Sequence, residues 1–310
     1  VISWRYHLIS IVAVFLALGL GVLAGTTVLD QGLVNNLRSQ TTQLQKDLDD
    51  LRGTVTEQRR QIATMNAFVE QAVPYVVSDR LFGRPVVVVT QDGVEDATLA
   101  EARRVLDLSG ANVLTTLTVR ADMAADDPSA RSDLAALLGM SPTSSPDQLA
   151  AAAAAALGTR LATVPDPTGE GDDVLGELLS AGFVTAGQPS ISDATLAQIG
   201  GPGQIVVVVG GGPSDVAPQP EAFLVPLVRS LVDLEMSTAA AQGVAAEAAF
   251  VPAVRDLMDP GSVPLSTVDD ADLSIGGAAL ILGIQEVVLT GVGGDYGIAD
   301  GASRLLPAPS

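Results

Sequence analysis

The sequence predicts a tethered α/β protein, with a single N-terminal transmembrane helix, a parallel coiled-coil stalk and one doubly wound, mostly parallel sheet flanked by helices. Three observations predict it. Leu8 to Gly25 is an 18-residue apolar run, residues 34–72 place apolar side chains at heptad positions, and short β-branched runs alternate with helical patches from residue 85 onward. The alternation is that of a Rossmann-like domain. The expected organisation is a cytoplasmic tip at 1–7, a membrane helix at 8–26, a coiled coil at 27–73 and an extracytoplasmic α/β domain at 74–310.

The membrane helix comes first. About 20 apolar residues in a helix cross the hydrocarbon layer, and in this run Ser10 is the sole conventionally polar side chain. Arg5 and His7 precede it, and no Lys or Arg follows until Arg38, so the positive-inside rule keeps the N-terminus in the cytoplasm. Val22-Leu23-Ala24 would serve as a signal-peptide cleavage site. The length of the run and the single sure charge before it favour a retained anchor. Ala13, Ala17, Gly21 and Gly25 share one helix face in the small-xxx-small spacing that lets two membrane helices approach.

With Val34 as the first a position, the seam reads Val34, Leu37, Thr41, Leu44, Leu48, Leu51, Val55, Gln58, Ile62, Met65, Val69 and Ala72, with polar residues between. β-branched residues at a and Leu at successive d positions favour a parallel two-stranded coil, so a homodimer is expected. Pro74 should end the helix, because it has no N–H and disfavours helix at the residue before it. At about 1.5 Å per residue, the stalk would hold the domain roughly 60 Å from the membrane.

In the domain, Val86 to Val89 reads as a buried parallel strand; Leu99, Ala102, Val105 and Leu106 mark a helix, and Asn112 to Val119 a second strand. The alanine tract at 150–156 is a helix with Asp147 as its expected cap. Ile205 to Val209 is another buried strand, followed by a helix over 220–236. Further units are expected at Gly243 to Ala249, and at Val263 to Val268 with a helix near Ile275 to Val288.

Composition narrows the function. A net charge of −20 repels nucleic acid and anionic headgroups, so no nucleic-acid partner is expected. The absence of cysteine removes disulfides, thiolate catalysis and iron–sulfur clusters. The one histidine, His7, lies on the cytoplasmic side of the anchor, so no Ser-His-Asp set can form in the domain and no enzyme is expected.

Ligands of doubly wound sheets sit at the carboxyl ends of strands, where two loops stand out. Gly210, Gly211 and Gly212 with Asp215 match neither phosphate-binding glycine motif and are expected to make a tight connection. Asp269, Asp270 and Asp272 are expected to cap the following helix, with a hard cation as the other use of such carboxylates. Asp295 and Tyr296 join them if the tail folds back. No cofactor is expected, and the domain reads as a binding module for an envelope protein partner.

The order of anchor, heptad stalk, Gly83-Arg84-Pro85-Val86 strand start, Leu265-Ser266-Thr267-Val268-Asp269-Asp270-Ala271-Asp272 segment and Gly291-Val292-Gly293-Gly294-Asp295-Tyr296-Gly297 tail resembles the mycobacterial copper transport protein B family of actinobacteria. The resemblance covers almost the whole chain. It implies an envelope protein of copper transport and homeostasis, described as limiting intracellular copper and as a channel-forming outer-membrane component. Some relatives resemble division-associated envelope proteins that act with a membrane partner to restrain cell-wall hydrolysis. Where the family's tail is associated with His-Tyr-Gly, this chain has Asp295-Tyr296-Gly297, without the imidazole. Cu(I) prefers thiolate, thioether and imidazole ligands, and the five methionines, Met65, Met123, Met140, Met236 and Met258, are scattered. The apolar strands do not alternate as a transmembrane barrel requires.

Overall fold

The computed structural model describes residues 4–164, 173–187, 192–213 and 218–308. The chain divides into two compact units, Val1–Met65 and Asn66–Ser310.

The first unit is helical. Its helix, α1 (Trp4–Val77), whose residues from Asn66 onward belong to the second unit, begins with Trp4–Gly25, which is long and apolar enough to cross a membrane and has none of its residues buried within the protein. Beyond it the expected seam is exposed at Leu37, Leu44, Leu48, Leu51, Ile62 and Met65 and half-buried at Val55. The side chain of Val34 lies outside the described residues. Pro74 does not end the helix as expected but sits inside its last turn. Proline removes one hydrogen bond there, while the Pro74 carbonyl still accepts from Ser78 N at 3.1 Å. Burial of Val73 and Val77 on either side of it holds the turn in place. Val69, an expected seam residue, packs with them against the domain core.

The second unit is a seven-stranded sheet in the order β3-β2-β1-β4-β5-β6-β7. Its strands are β1 (Pro85–Gln91), β2 (Asn112–Val119), β3 (Val184–Ala186), β4 (Ile205–Val209), β5 (Ser237–Ala241), β6 (Leu265–Val268) and β7 (Asp295–Tyr296). All neighbours are parallel except β2 and β3. The chain order reverses between β1 and β4, the switch point of a doubly wound sheet.

Successive side chains of β1 enter opposite layers. Val86 and Val88 pack beneath α2 (Asp96–Leu108), α9 (Ser274–Thr290) and the end of α1, in a cluster with Val105, Leu106 and Ile281. Val87 and Val89 join Leu157, Leu227 and Phe250 on the other face. That face is covered by α3 (Pro128–Leu137), α4 (Pro146–Ala162), α5 (Val174–Ser180), α7 (Leu224–Asp233) and α8 (Phe250–Leu257). A short helix, α6 (Asp193–Leu196), precedes β4.

Several expectations are corrected. The further unit expected at Gly243 to Ala249 has its strand earlier, at β5, with sequence Ser-Thr-Ala-Ala-Ala, and the helix expected over 220–236 is the shorter α7. Alanine is a weak strand former, but β5 lies between β4 and β6, and its Ala240 faces one layer while Ala239 and Ala241 face the other. The cap of α4 is Ser145 rather than Asp147. Ser145 accepts from Gln148 N, Gln148 Oε1 accepts from Ser145 N, and Pro146 opens the first turn, a reciprocal capping box.

Candidate functional site

The carboxyl-end loops of β5 and β6 and the returning tail meet around one arginine. Arg255 lies in the last turn of α8, and its side chain is only 7% exposed. Its Nη1 donates to Asp269 Oδ2 at 2.7 Å, Nε to Thr267 Oγ1 at 2.8 Å and Asp295 Oδ1 at 3.1 Å, and Nη2 to the Tyr296 carbonyl at 2.9 Å. β6 delivers Thr267 and Asp269, while β7 delivers Asp295 and Tyr296 by pairing Thr267 with Asp295 and Val268 with Tyr296. The tail therefore folds back, as the expected site requires.

Asp269 is fully buried and fully used. Besides Arg255, it accepts Ile298 N at 2.8 Å and Ala299 N at 3.0 Å through Oδ1. Gly297, at φ +126°, sits so close to that carboxylate that a side chain there would collide with it. None of the three expected capping carboxylates caps α9, whose N-cap is Leu273 without a side-chain bond. Asp269 is taken by the arginine, and Asp272 Oδ1 accepts Val244 N at 2.7 Å, joining the β6 loop to the β5 loop. Asp270 is 1% exposed with Oδ1 unpartnered. Burial first, and then the neighbouring Asp269 charge, pushes its carboxyl up to about 6. Among Asp269, Asp270 and Asp272 it alone has a buried carboxylate oxygen without a hydrogen-bond partner.

The glycine loop does what a tight connection does. A side chain at Gly210 would stand 2.5 Å from the Phe250 ring, and one at Gly212 would meet the Asp92 carbonyl at 2.5 Å. Gly211, at φ +108°, accepts Glu247 N through its carbonyl at 3.1 Å. These glycines allow α8 and the turn after β1 to close on β4. Asp215 lies outside the described residues. Tyr296 is buried and donates its hydroxyl to Glu286 Oε2; burial first, then that acceptor, holds the hydroxyl well above its ordinary range.

Arg255 is the residue that sequence reading missed. Its signal is a lone basic residue ending a short apolar helix in an acidic chain, but the carboxylates it serves are 14 and 40 residues away.

A cavity of about 340 Å³ opens over this cluster, lined by Arg255, Asp256, Met258, Asp259 and Asp295 among others. The donors fit Cu(I) poorly. One thioether stands among carboxylates, which prefer hard cations, and no group of three metal-ligating side chains gathers among the described residues. Of the other methionines, Met123 and Met236 are buried in the core, Met140 packs against it, and Met65 is exposed on α1. A second cavity of about 500 Å³ is lined by Val76, Leu282, Leu289 and Leu306 with Arg80 and Glu286.

Residues 1–307 match the family described as copper transport outer membrane protein, MctB. The copper transporter MctB of Mycobacterium tuberculosis (strain ATCC 25618 / H37Rv) is 27% identical over 319 aligned residues, covering 98% of each chain. That of Mycobacterium bovis (strain ATCC BAA-935 / AF2122/97) is similar to the same degree, and that of Mycobacterium leprae (strain TN) is 26% identical over 320 residues, again 98% of each.

Proposed function

Because the chain belongs to the copper transport outer membrane protein family, MctB, we propose that it is a membrane-anchored envelope protein that lowers copper inside the cell. The whole-length match carries this reading, supported by the one apolar helix near the N-terminus. In it, Arg5 and His7 stay in the cytoplasm and the acidic α/β domain lies outside. The protein acts as a non-enzymatic dimer whose stalk pairs Leu37, Leu44, Leu48, Leu51 and Ile62 with the same residues of a second copy. Flanking charges support the parallel arrangement. In a parallel coil Asp47, at g, meets Arg52, at e, of the second copy, whereas an antiparallel coil would set the e residues Arg38, Arg52 and Arg59 against one another.

Copper is cargo in this reading, and the scattered soft donors point to contribution through a partner rather than through a tight site in this chain. That mismatch also favours a second reading, a scaffold that binds a membrane partner and regulates cell-wall hydrolysis and division. One experiment separates them. A strain lacking the chain should accumulate copper and regain normal copper with the full chain but not with a chain lacking residues 4–25. Unchanged copper content, together with altered cell separation, would replace the first reading by the second.

A further inference from the structure

We propose that Arg103, Thr116 and Gly187 form a binding site for a single oxyanion, a carboxylate or phosphate group, on the face of the sheet covered by α2.

Of the other buried or half-buried arginines in the domain, Arg104, Arg160 and Arg255 have acidic partners and Arg131 donates to the Ala125 and Asp126 carbonyls, while the exposed Arg120 is paired as well. Arg104 pairs with Glu101 at 2.5 Å, Arg160 with Asp173 at 2.6 Å, Arg120 with Asp92 at 2.8 Å and Arg255 with Asp269 at 2.7 Å. Arg103, on α2, has none among the described residues, although the chain carries a net charge of −20, and its Nε is buried without a hydrogen-bond partner. A second polar group nearby is in the same condition: Thr116 is fully buried in β2 and its Oγ1 has no partner. The two belong to one layer, because Thr116 pairs with Val88, whose side chain packs beneath α2.

Gly187 brings them to a point. Its N–H donates to the Thr116 carbonyl at 2.7 Å, which fixes it beside β2 just past the end of β3. The position that a side chain of residue 187 would take lies 3.4 Å from Arg103 Nη2 and 3.6 Å from Thr116 Cβ. The Arg103 guanidinium and the Thr116 side chain therefore border the position that the glycine leaves without a side chain, with the Thr116 carbonyl, already engaged by Gly187 N–H, 3.5 Å away.

The chemistry of the space selects its ligand. A guanidinium offers only donors, with Nε–H and Nη–H set as a fork that matches two oxygens of a carboxylate or phosphate. The threonine hydroxyl adds a third donor. A buried charged donor without a partner destabilises the fold; an oxyanion would satisfy the nitrogen, the hydroxyl and the charge together, whereas water would leave the charge uncompensated and a cation would be repelled.

The test uses the full chain in detergent micelles, with inorganic phosphate and acetate as separate probes at constant ionic strength. Unfolding temperature and calorimetric binding should respond saturably to at least one, since a ligand of the folded state raises stability by mass action. The responding anion tells phosphate from carboxylate chemistry. Arg103→Gln should abolish the response, and Arg103→Lys, Thr116→Val and Gly187→Ala should each weaken binding by about tenfold or more. Arg229→Gln, which removes a charge from the exposed side of α7, should leave it unchanged. If Arg103→Gln fails to fold, Thr116→Val and Gly187→Ala carry the test. No response to either anion in the unmodified chain, or equal binding by the Arg103, Thr116 and Gly187 variants, overturns the proposal.

Discussion

Arg255 and Asp269 form an ion pair of 2.7 Å in which neither side chain has appreciable contact with solvent, 7% exposed for the arginine and 0% for the aspartate. Through the same guanidinium the pair reaches Asp295 and the Tyr296 carbonyl, so one residue of α8 fastens the C-terminal strand to the sheet.

Breaking that pair from one side leaves an uncompensated buried charge. Asp269→Ala and Arg255→Met should each lower stability by about 3–5 kcal/mol, read from urea unfolding. The double variant should lose less than the sum of the two. Additive losses would show that the two side chains act separately.

Asp270 predicts a pH dependence. Its folded pKa of about 6 lies above the ordinary 3.8, so ionisation weakens the fold. The penalty is full above pH 6, shrinks as pH falls through the interval between the two values, and is gone below it. Asp270→Asn should therefore gain about 1–3 kcal/mol on the unmodified chain at pH 7.5, at roughly 1.4 kcal/mol per pKa unit. The gap should close by pH 4. A gap that stays constant with pH would mean that this carboxyl does not titrate in the interval.

The stalk proposal is tested by position. In the cysteine-free chain, Leu44→Cys should form a disulfide-linked dimer under mild oxidation, because a parallel coil sets residue 44 against itself. Leu44→Ala with Leu51→Ala should remove about 2–5 kcal/mol per site from association and sediment as a monomer. Dimers that persist in the double variant would move the interface elsewhere.

Ser145→Ala removes half of a capping box and should lower stability by about 1 kcal/mol, with the loss confined to α4. Asp147→Ala should have a smaller effect, since Asp147 makes no cap bond in the first turn. Equal effects would restore Asp147 as the cap. Hydrogen exchange at Gln148 and Leu149 would locate the change.

Much of the fold is legible because its signals are local. A continuous apolar run specifies a membrane-competent helix, a heptad seam specifies a long helix with one apolar stripe, and the all-valine stretches at 86–89 and 206–209 can serve only as strands buried on both faces. The parts that escaped had signals elsewhere in the chain. β5 is built of alanines whose reason is the bulk of neighbouring layers, and β3 and β7 are strands of three and two residues that exist because β2 and β6 offer edges.

The candidate site divides along the same line. The run Asp269, Asp270, Asp272 and the pair Asp295, Tyr296 could be picked out as chemistry at strand ends from pattern alone. Their roles could not, because an aspartate after a strand caps a helix, pairs with a cation or stays unpartnered according to what packs against it. Folding put Arg255 beside Asp269 and Asp295, Val244 N beside Asp272 and no hydrogen-bond donor beside Asp270 Oδ1. Periodicity and composition thus settle the long, strongly patterned elements and their order, which depend on neighbours a few residues away. The fate of each buried charge depends on partners up to 40 residues distant, and only the packed sheet brings those together.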